Sequence, residues 1–368
     1  MQVGNTPIAK KHVYETIFNT EFNIGFHKPK KDQCSLCEEF KNSSQEEKEV
    51  IQAKYEQHVQ EKIESRLEKE KDIQQAQNKS SIVAVFDFQS VTPLPSGQVS
   101  SFYYKRKLNL HNFTIYECVS KIGRCYMWHE GQAGRGANEV GSCLLLFLNQ
   151  CENQNVVFYS DNCMGQNKNK YVASVYLYAV QHFQILTIRH KFLVVGHTQN
   201  EGDNMHSRIE SEKQRALKSG PIYVPSQMAT IASLARKTGN PYFVEQIDTS
   251  DIIDCKTLCS EVGNNFSVNE EGEKVIWNDI SEIMVEKASP YVLFYKTSYK
   301  DKEYKQIAVT KRKRGKPNQV LSVQIKPAFR KQPKISAAKK KDLLSLCSQN
   351  LIPKVHHNFY NNLEAEKE

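Results

Sequence analysis

Three acidic side chains, far apart along the chain, have the types and surroundings to do chemistry: Asp87, Asp161 and Asp203. Asp87 lies near the end of the apolar segment Ser81–Phe88, and Asp161 directly follows Asn155–Ser160. Asp203 falls in the first turn of a polar helix predicted over Glu201–Ala216. Brought together, such groups resist one another. Two carboxylates about 4 Å apart repel by roughly 4 kcal/mol at an effective dielectric of about 20. A proton or a cation must then occupy the gap. Carboxylates with open coordination positions suit Mg²⁺ or Mn²⁺. Two such ions can activate a nucleophile and stabilise a leaving oxygen in phosphodiester chemistry. Glu201 and Glu210 are rivals for the third place. Asp203, His206 and Glu210 recur at helical spacing and share one face. His197, which follows the last predicted strand, either orients an acid or water at this site or is a structural hydrogen-bonding histidine.

The elements that must position these acids are legible in the pattern. Ser81–Phe88 (SIVAVFDF) and Asn155–Ser160 (NVVFYS) are short, β-branched and apolar, and read as buried strands. Ser101–Leu108 and Phe113–Val119 read as one bent strand or a hairpin, and Arg124–His129 and Ile185–Val195 as further strands. Helices are expected near Asn138–Asn149 and over Gln166–Phe183. The alternation of strand and helix in the second half implies parallel strands joined by crossover helices. Functional groups gather at the carboxyl ends of such strands. The expected fold is therefore α/β.

Composition divides the chain further. Residues 1–80 carry Cys34-x-x-Cys37 and a long run of helix formers, Gln45 to about Asn78, without Gly or Pro. Its apolar residues form one thin stripe, Ile51, Tyr55, Val59, Ile63 and Leu67. That predicts a helix exposed over most of its surface, with a coiled-coil pairing as an option. Residues 81–245 form the expected core. Residues 246–368 turn from acidic to basic, which suggests a separate C-terminal module. Within it, residues from Lys339 to Asn362 predict a small helical unit with Leu343, Leu344, Leu346 and Leu351 on its apolar side.

Several weaker signals accompany the acids. Cys34 and Cys37 have the spacing of half a tetrahedral Zn²⁺ site, with His58, His12 or His27 as candidate partners. Lys168 and Lys170 open a helix beside Asp161 and are candidates to hold a nucleic-acid backbone. Lys311, Arg312, Lys313 and Arg314 form a basic run that fits a nuclear-import signal or phosphate contacts, and so predicts a nuclear protein. The formal net charge of +9 favours an anionic partner in a general way. The glycines at 131, 134 and 136 read as a mobile connector rather than a phosphate cradle, since no P-loop lysine follows. The ten cysteines are scattered, no secretory signal precedes them, and they are expected as reduced thiols. No apolar run reaches the length of a membrane span.

The segments YSDNCMGQNKNKYV and GHTQNEGDNMHSRIE, following a strand that ends in FDF, resemble a eukaryotic transposon-derived family of uncharacterised proteins. That family is similar to RNase H-like (DDE/DDD) transposases and integrases. The motifs PKKDQCSLC and KKKDLLSLC extend the resemblance over most of the chain. It implies an RNase H-like core with acids on the first strand, just after the fourth, and on the last helix. By position these are Asp87, Asp161 and Asp203. It further implies a DNA partner, a homo-oligomer, and metal-dependent DNA cleavage or strand transfer. The alternative is a catalytically inactive, domesticated transposase acting as a DNA-binding or chromatin-associated protein. A protein-interaction module built on the long N-terminal helix is a third reading.

Overall fold

The computed structural model describes residues 10–22, 34–77, 81–151, 155–198, 200–310 and 323–367. Its fold is mixed α/β, organised on one mixed sheet. Five strands form the middle: β1 (Ser81–Phe88), β3 (Leu108–Glu117), β4 (Gly123–His129), β5 (Asn155–Ser160) and β6 (Thr187–Phe192). The short β2 (Thr92–Leu94) pairs with β3. Across the middle the order is β4-β3-β1-β5-β6. β1, β5 and β6 run parallel, and β3 is antiparallel to both of its principal neighbours.

Side-chain alternation gives the sheet two different faces. On one face Ala84, Phe86, Phe88, Val156 and Phe158 enter the main core, with α5 (Ala137–Asn149), α6 (Lys170–His182) and α9 (Cys255–Val262). α5 is buried nearly all round because a second layer lies over it. On the other face Val83, Val85, Val157, Tyr159 and Leu193 meet Ala76 of α3 (Gln45–Ala76). α7 (Glu201–Ser219) and α8 (Pro225–Leu234) cover the β3–β4 side of that face through Met205, Ile209 and Met228. The remaining described helices are α1 (Lys11–Glu21), α2 (Ser35–Asn42), α4 (Ser100–Tyr104), α10 (Ala337–Ser348) and α11 (His357–Asn361). Among the described residues no helix is long and apolar enough to cross a membrane.

Several expectations change. The segment around 101–104 is helical, not extended: Phe102 is buried while Tyr103 and Tyr104 are both exposed, a pattern that strand alternation does not allow. The helix expected from Gln166 begins only at Lys170, because the Asn169 side chain accepts hydrogen bonds from Tyr171 N and Val172 N and caps it. Residues 282–308, which charge reversal assigned to a C-terminal module, are strands of the same sheet. They form β8 (Glu282–Glu286), antiparallel to β6, then β9 (Val292–Lys296) antiparallel to β8 and β10 (Lys305–Ala308) antiparallel to β9. β7 (Phe243–Gln246) lengthens the other end, parallel to β4. The terminal helical unit forms as read, with Leu343 and Leu346 fully buried.

The long helix departs most from its pattern. Its start is fixed by a capping box, with Ser44 N donating to Glu47 Oε2 at 2.8 Å. The apolar stripe serves only its first half, where Tyr55 stacks on Phe40 of α2. Ile63 and Leu67 stay exposed. The face that meets the sheet is polar: Ser65, Glu68 and Asp72, ending at Ala76. The Asp72 carboxylate accepts from Lys191 Nζ at 2.6 Å, Tyr159 OH at 2.6 Å and Arg189 at 3.3 Å. Lys191 is wholly buried and also reaches Glu68 at 2.7 Å. This network, together with the apolar contact at Ala76, docks the helix.

Removing one partner of a buried ion pair leaves the other uncompensated, at about 3–5 kcal/mol. Asp72→Ala is expected to fall in the lower part of that range, because Glu68 still faces Lys191. Urea unfolding measures it. The double change Asp72→Leu with Lys191→Met should recover part of the loss, since the fully buried pair is removed together, while half-buried Arg189 and Glu68 each lose a partner.

Candidate metal centres

The strand register builds the first centre. In the parallel pair β1–β5, Val85 lies beside Tyr159, so two residues further on Asp87 and Asp161 stand side by side at the carboxyl ends. Both share the parity of Val85 and Tyr159, and so belong to the face covered by α3 and α7. Across β3, Asp87 pairs with Thr114 on the same face. α7 starts above this point. Its capping box has Asn200 N donating to Asp203 Oδ2 at 2.8 Å, which holds that carboxylate over the sheet end. His206 follows one turn later.

Ligand atoms of Asp87, Asp203 and His206 all lie within 4.8 Å of one another, a grouping that could hold a metal ion. Asp161 flanks it. Its Oδ1 accepts from Cys163 N at 3.0 Å and Asn167 Nδ2 at 2.5 Å, and it acts on Asp87 electrostatically. Burial, then the Asp161 charge, then the Asp203 charge push the Asp87 carboxyl up to about 7; the Phe88 N–H, at 2.7 Å, opposes them. His206 is pushed down to about 4 by burial and is neutral. Its Nε2 lies 2.7 Å from Thr114 Oγ1, whose hydroxyl donates to Asp87 O at 3.1 Å. That hydrogen-bond pattern assigns the imidazole proton to Nε2 and leaves a lone pair on Nδ1.

The two rival acids point elsewhere. Glu201 is ion-paired with Lys69 of α3, and Glu210 is engaged by Lys213 at 2.9 Å and Gln214 at 2.7 Å. Lys168, expected at a nucleic-acid backbone, does not reach the surface. It is buried and donates to Asn162 Oδ1 at 2.8 Å and Asn278 O at 2.7 Å, and burial lowers its ammonium to about 8. Lys170 is exposed at the start of α6. Lys311, Arg312, Lys313 and Arg314 lie outside the described residues. The glycine loop is a connector held by its own helix: Gly134 N and Gly136 N each donate to the Glu139 carboxylate at 2.8 Å. Arg135, exposed in that loop, sits with its guanidinium 4.7 Å from the Phe88 ring and acts electrostatically on Asp87. No sequence signal marks it beyond its place in the loop.

A second centre forms between the N-terminal helices and the loop after β6. Cys34 is the N-cap of α2, Cys37 lies in its first turn, and His58 is midway along α3. The fourth member is His197, which does not orient an acid. It faces Cys37 and His58, and ligand atoms of all four residues lie within 4.8 Å of one another. Gly196 makes the approach feasible. Its φ is +76°, and a Cβ there would stand 2.6 Å from Cys34 Cα and Cβ. His12 is on α1, outside this group, and His27 lies outside the described residues.

Residues 114–277 match a family described as a domain of unknown function (DUF7869). The match covers somewhat less than half of the chain and includes Thr114, Asp161, His197, Asp203 and His206, but neither Asp87 nor the cysteine pair. No curated protein matches the chain, and no solved structure does.

The sign of the Asp87 shift gives a stability prediction. An unfolded aspartate titrates near 3.9. Between that value and about 7 the folded state holds a proton that the unfolded state has released. Stability from this group is therefore complete below about pH 4 and lost as pH rises towards 7. In buffer free of Mg²⁺ and Mn²⁺, Asp87→Asn should raise Tm relative to the natural chain at pH 8 and change it little at pH 4. Thermal melts at the two pH values check this; an equal shift at both would contradict it.

Proposed function

We propose that this chain is a transposase-type protein that cleaves or transfers a DNA phosphodiester at the centre formed by Asp87, Asp161, Asp203 and His206. The observation that carries the reading is the convergence of Asp87, Asp203 and His206 within 4.8 Å, with Asp161 beside Asp87 at the carboxyl ends of adjacent parallel strands. What supports it is the strand order β4-β3-β1-β5-β6 in a mixed sheet, with β3 antiparallel to its neighbours β1 and β4, which we read as an RNase H-like core. The acids then fall on its first strand, after its fourth strand and on the helix that follows the fifth.

The donor set fits Mg²⁺ or Mn²⁺. Carboxylates suit either ion, and a neutral imidazole favours Mn²⁺ of the two. The raised Asp87 carboxyl is the fit test: burial and the Asp161 and Asp203 charges together outweigh the Phe88 N–H and the Arg135 charge that oppose them. When bound, a divalent ion supplies Lewis-acid stabilisation of a phosphoryl oxygen and a more acidic water. The chain itself does the positioning. Thr114 sets the ring of His206, the Asn200 cap sets Asp203, and Asn167 holds Asp161. Arg135, exposed at the rim, is the side chain we assign to a non-bridging phosphate oxygen, because guanidinium forks match that geometry. Exposed Lys170 would extend the backbone contact, and the basic run from Lys311 to Arg314, as a sequence motif, favours a nuclear site of action.

Supercoiled plasmid incubated with the full chain and Mn²⁺ tests the reading. Nicking is expected, and Asp161→Asn or Asp87→Asn should reduce it at least about a hundredfold, since changes one shell further out already cost about 10–100-fold. Arg135→Ala should weaken nicking less. Salt-sensitive DNA retention without any nick would replace this reading with that of an inactive DNA-binding protein.

A further inference from the structure

The Cys34–Cys37–His58–His197 cluster is independent of the acidic centre and has its own chemistry. Two sulfurs and two imidazole nitrogens, with no carboxylate among them, make a donor set that selects Zn²⁺ over Mg²⁺ or Ca²⁺. The distances are close to those of a tetrahedral centre, two of the three falling slightly short of them. Zinc bonds of about 2.3 Å to sulfur and about 2.0–2.1 Å to nitrogen, at tetrahedral angles, put ligand atoms roughly 3.3–3.8 Å apart. Here Cys34 Sγ lies 3.1 Å from His58 Nε2, Cys37 Sγ 3.4 Å from His197 Nε2, and the two Nε2 atoms 3.1 Å from each other.

Ordinary hydrogen bonding does not explain that convergence. His58 Nε2 faces both a sulfur and a second imidazole nitrogen, and His197 Nε2 does the same. Each ring nitrogen can either donate once or accept, so the two cannot satisfy both neighbours in one protonation state. A single cation at the common point accepts all four lone pairs. Cys34 and His197 are separated by most of the N-terminal half of the chain, yet Gly196 lets their backbones touch. The meeting is built into the fold rather than made by one flexible side chain.

We propose that Cys34, Cys37, His58 and His197 bind one Zn²⁺ in a closed, four-ligand structural site that fastens α2 and α3 to the loop leading into α7. All four positions are protein side chains, so no position is left for water or substrate, which marks a structural rather than catalytic ion. The placement has a consequence that rests on the proposed function: His197 precedes Asn200, whose cap holds Asp203 in the acidic centre. Zinc would then fix one end of the segment that delivers the third acid and His206.

The test uses the full chain. Elemental analysis after purification without chelator should find about one zinc per chain. Replacing it with Co²⁺ should give the visible bands of a tetrahedral centre together with thiolate charge-transfer absorption. Cys37→Ser and His197→Gln should abolish both, while His182→Gln and Asp87→Asn should retain them. Stripping the metal should lower Tm, and returning Zn²⁺, but not Mg²⁺, should restore it. Zinc well below one per chain in the natural protein, or cobalt spectra unchanged in His197→Gln, would overturn the proposal even if the variants fold poorly. Zinc retention without nicking, or nicking without zinc, separates this proposal from the proposed function.

Discussion

Parallel pairing of β1 with β5 sets two carboxylates beside each other at one sheet end, and the rest of the arrangement answers that constraint. A register slip of one residue would send Asp87 to the opposite face, into the aromatic core beside Phe86 and Phe158. The buried alternation of Val83, Val85, Val157 and Tyr159 against α3 prevents it. The repulsion is therefore imposed by packing. Burial first, and that repulsion second, hold the carboxyl of Asp87 up near neutrality.

On that face α3 is held by charge as well as by its apolar contact at Ala76. Asp72, Glu68, Arg189 and Lys191 form a buried network between α3 and β6, and Lys69 reaches from α3 to Glu201 at the head of α7. Buried ion pairs are poor contributors to net stability but they penalise misplacement heavily. A helix that could slide along an apolar seam is in this way fixed in rotation and height. His58 lies on the same helix, so its height decides whether it can meet Cys34 and His197.

The two candidate metal centres are thus joined through short lengths of chain. His197 belongs to one and Asp203 and His206 to the other, with the Asn200 cap between them. The match to a domain of unknown function spans this stretch and the Asp161 region together. On the proposed reading, the zinc cluster is a brace for the acidic centre, and α3 is the strut that both share.

What the sequence determined by itself was local. Strand periodicity placed Asp87 and Asp161 at strand ends, helical spacing put Asp203 and His206 on one face, and the C-x-x-C spacing singled out half of a candidate metal site. Those signals act over a few residues, where backbone geometry ties position to direction. Tertiary structure decided everything that depends on distant segments meeting. It turned the long helix onto its polar face, because β5 and β6 supply Tyr159, Arg189 and Lys191 as partners that no local pattern announces. It buried Lys168 against Asn162 and Asn278, which removed it from the surface. It gave His197 to the cysteines instead of the acids, because Gly196, at positive φ and without a Cβ, lets that loop rest on Cys34. Spacing along a chain limits which side chains share a face; only packing decides which faces come into contact.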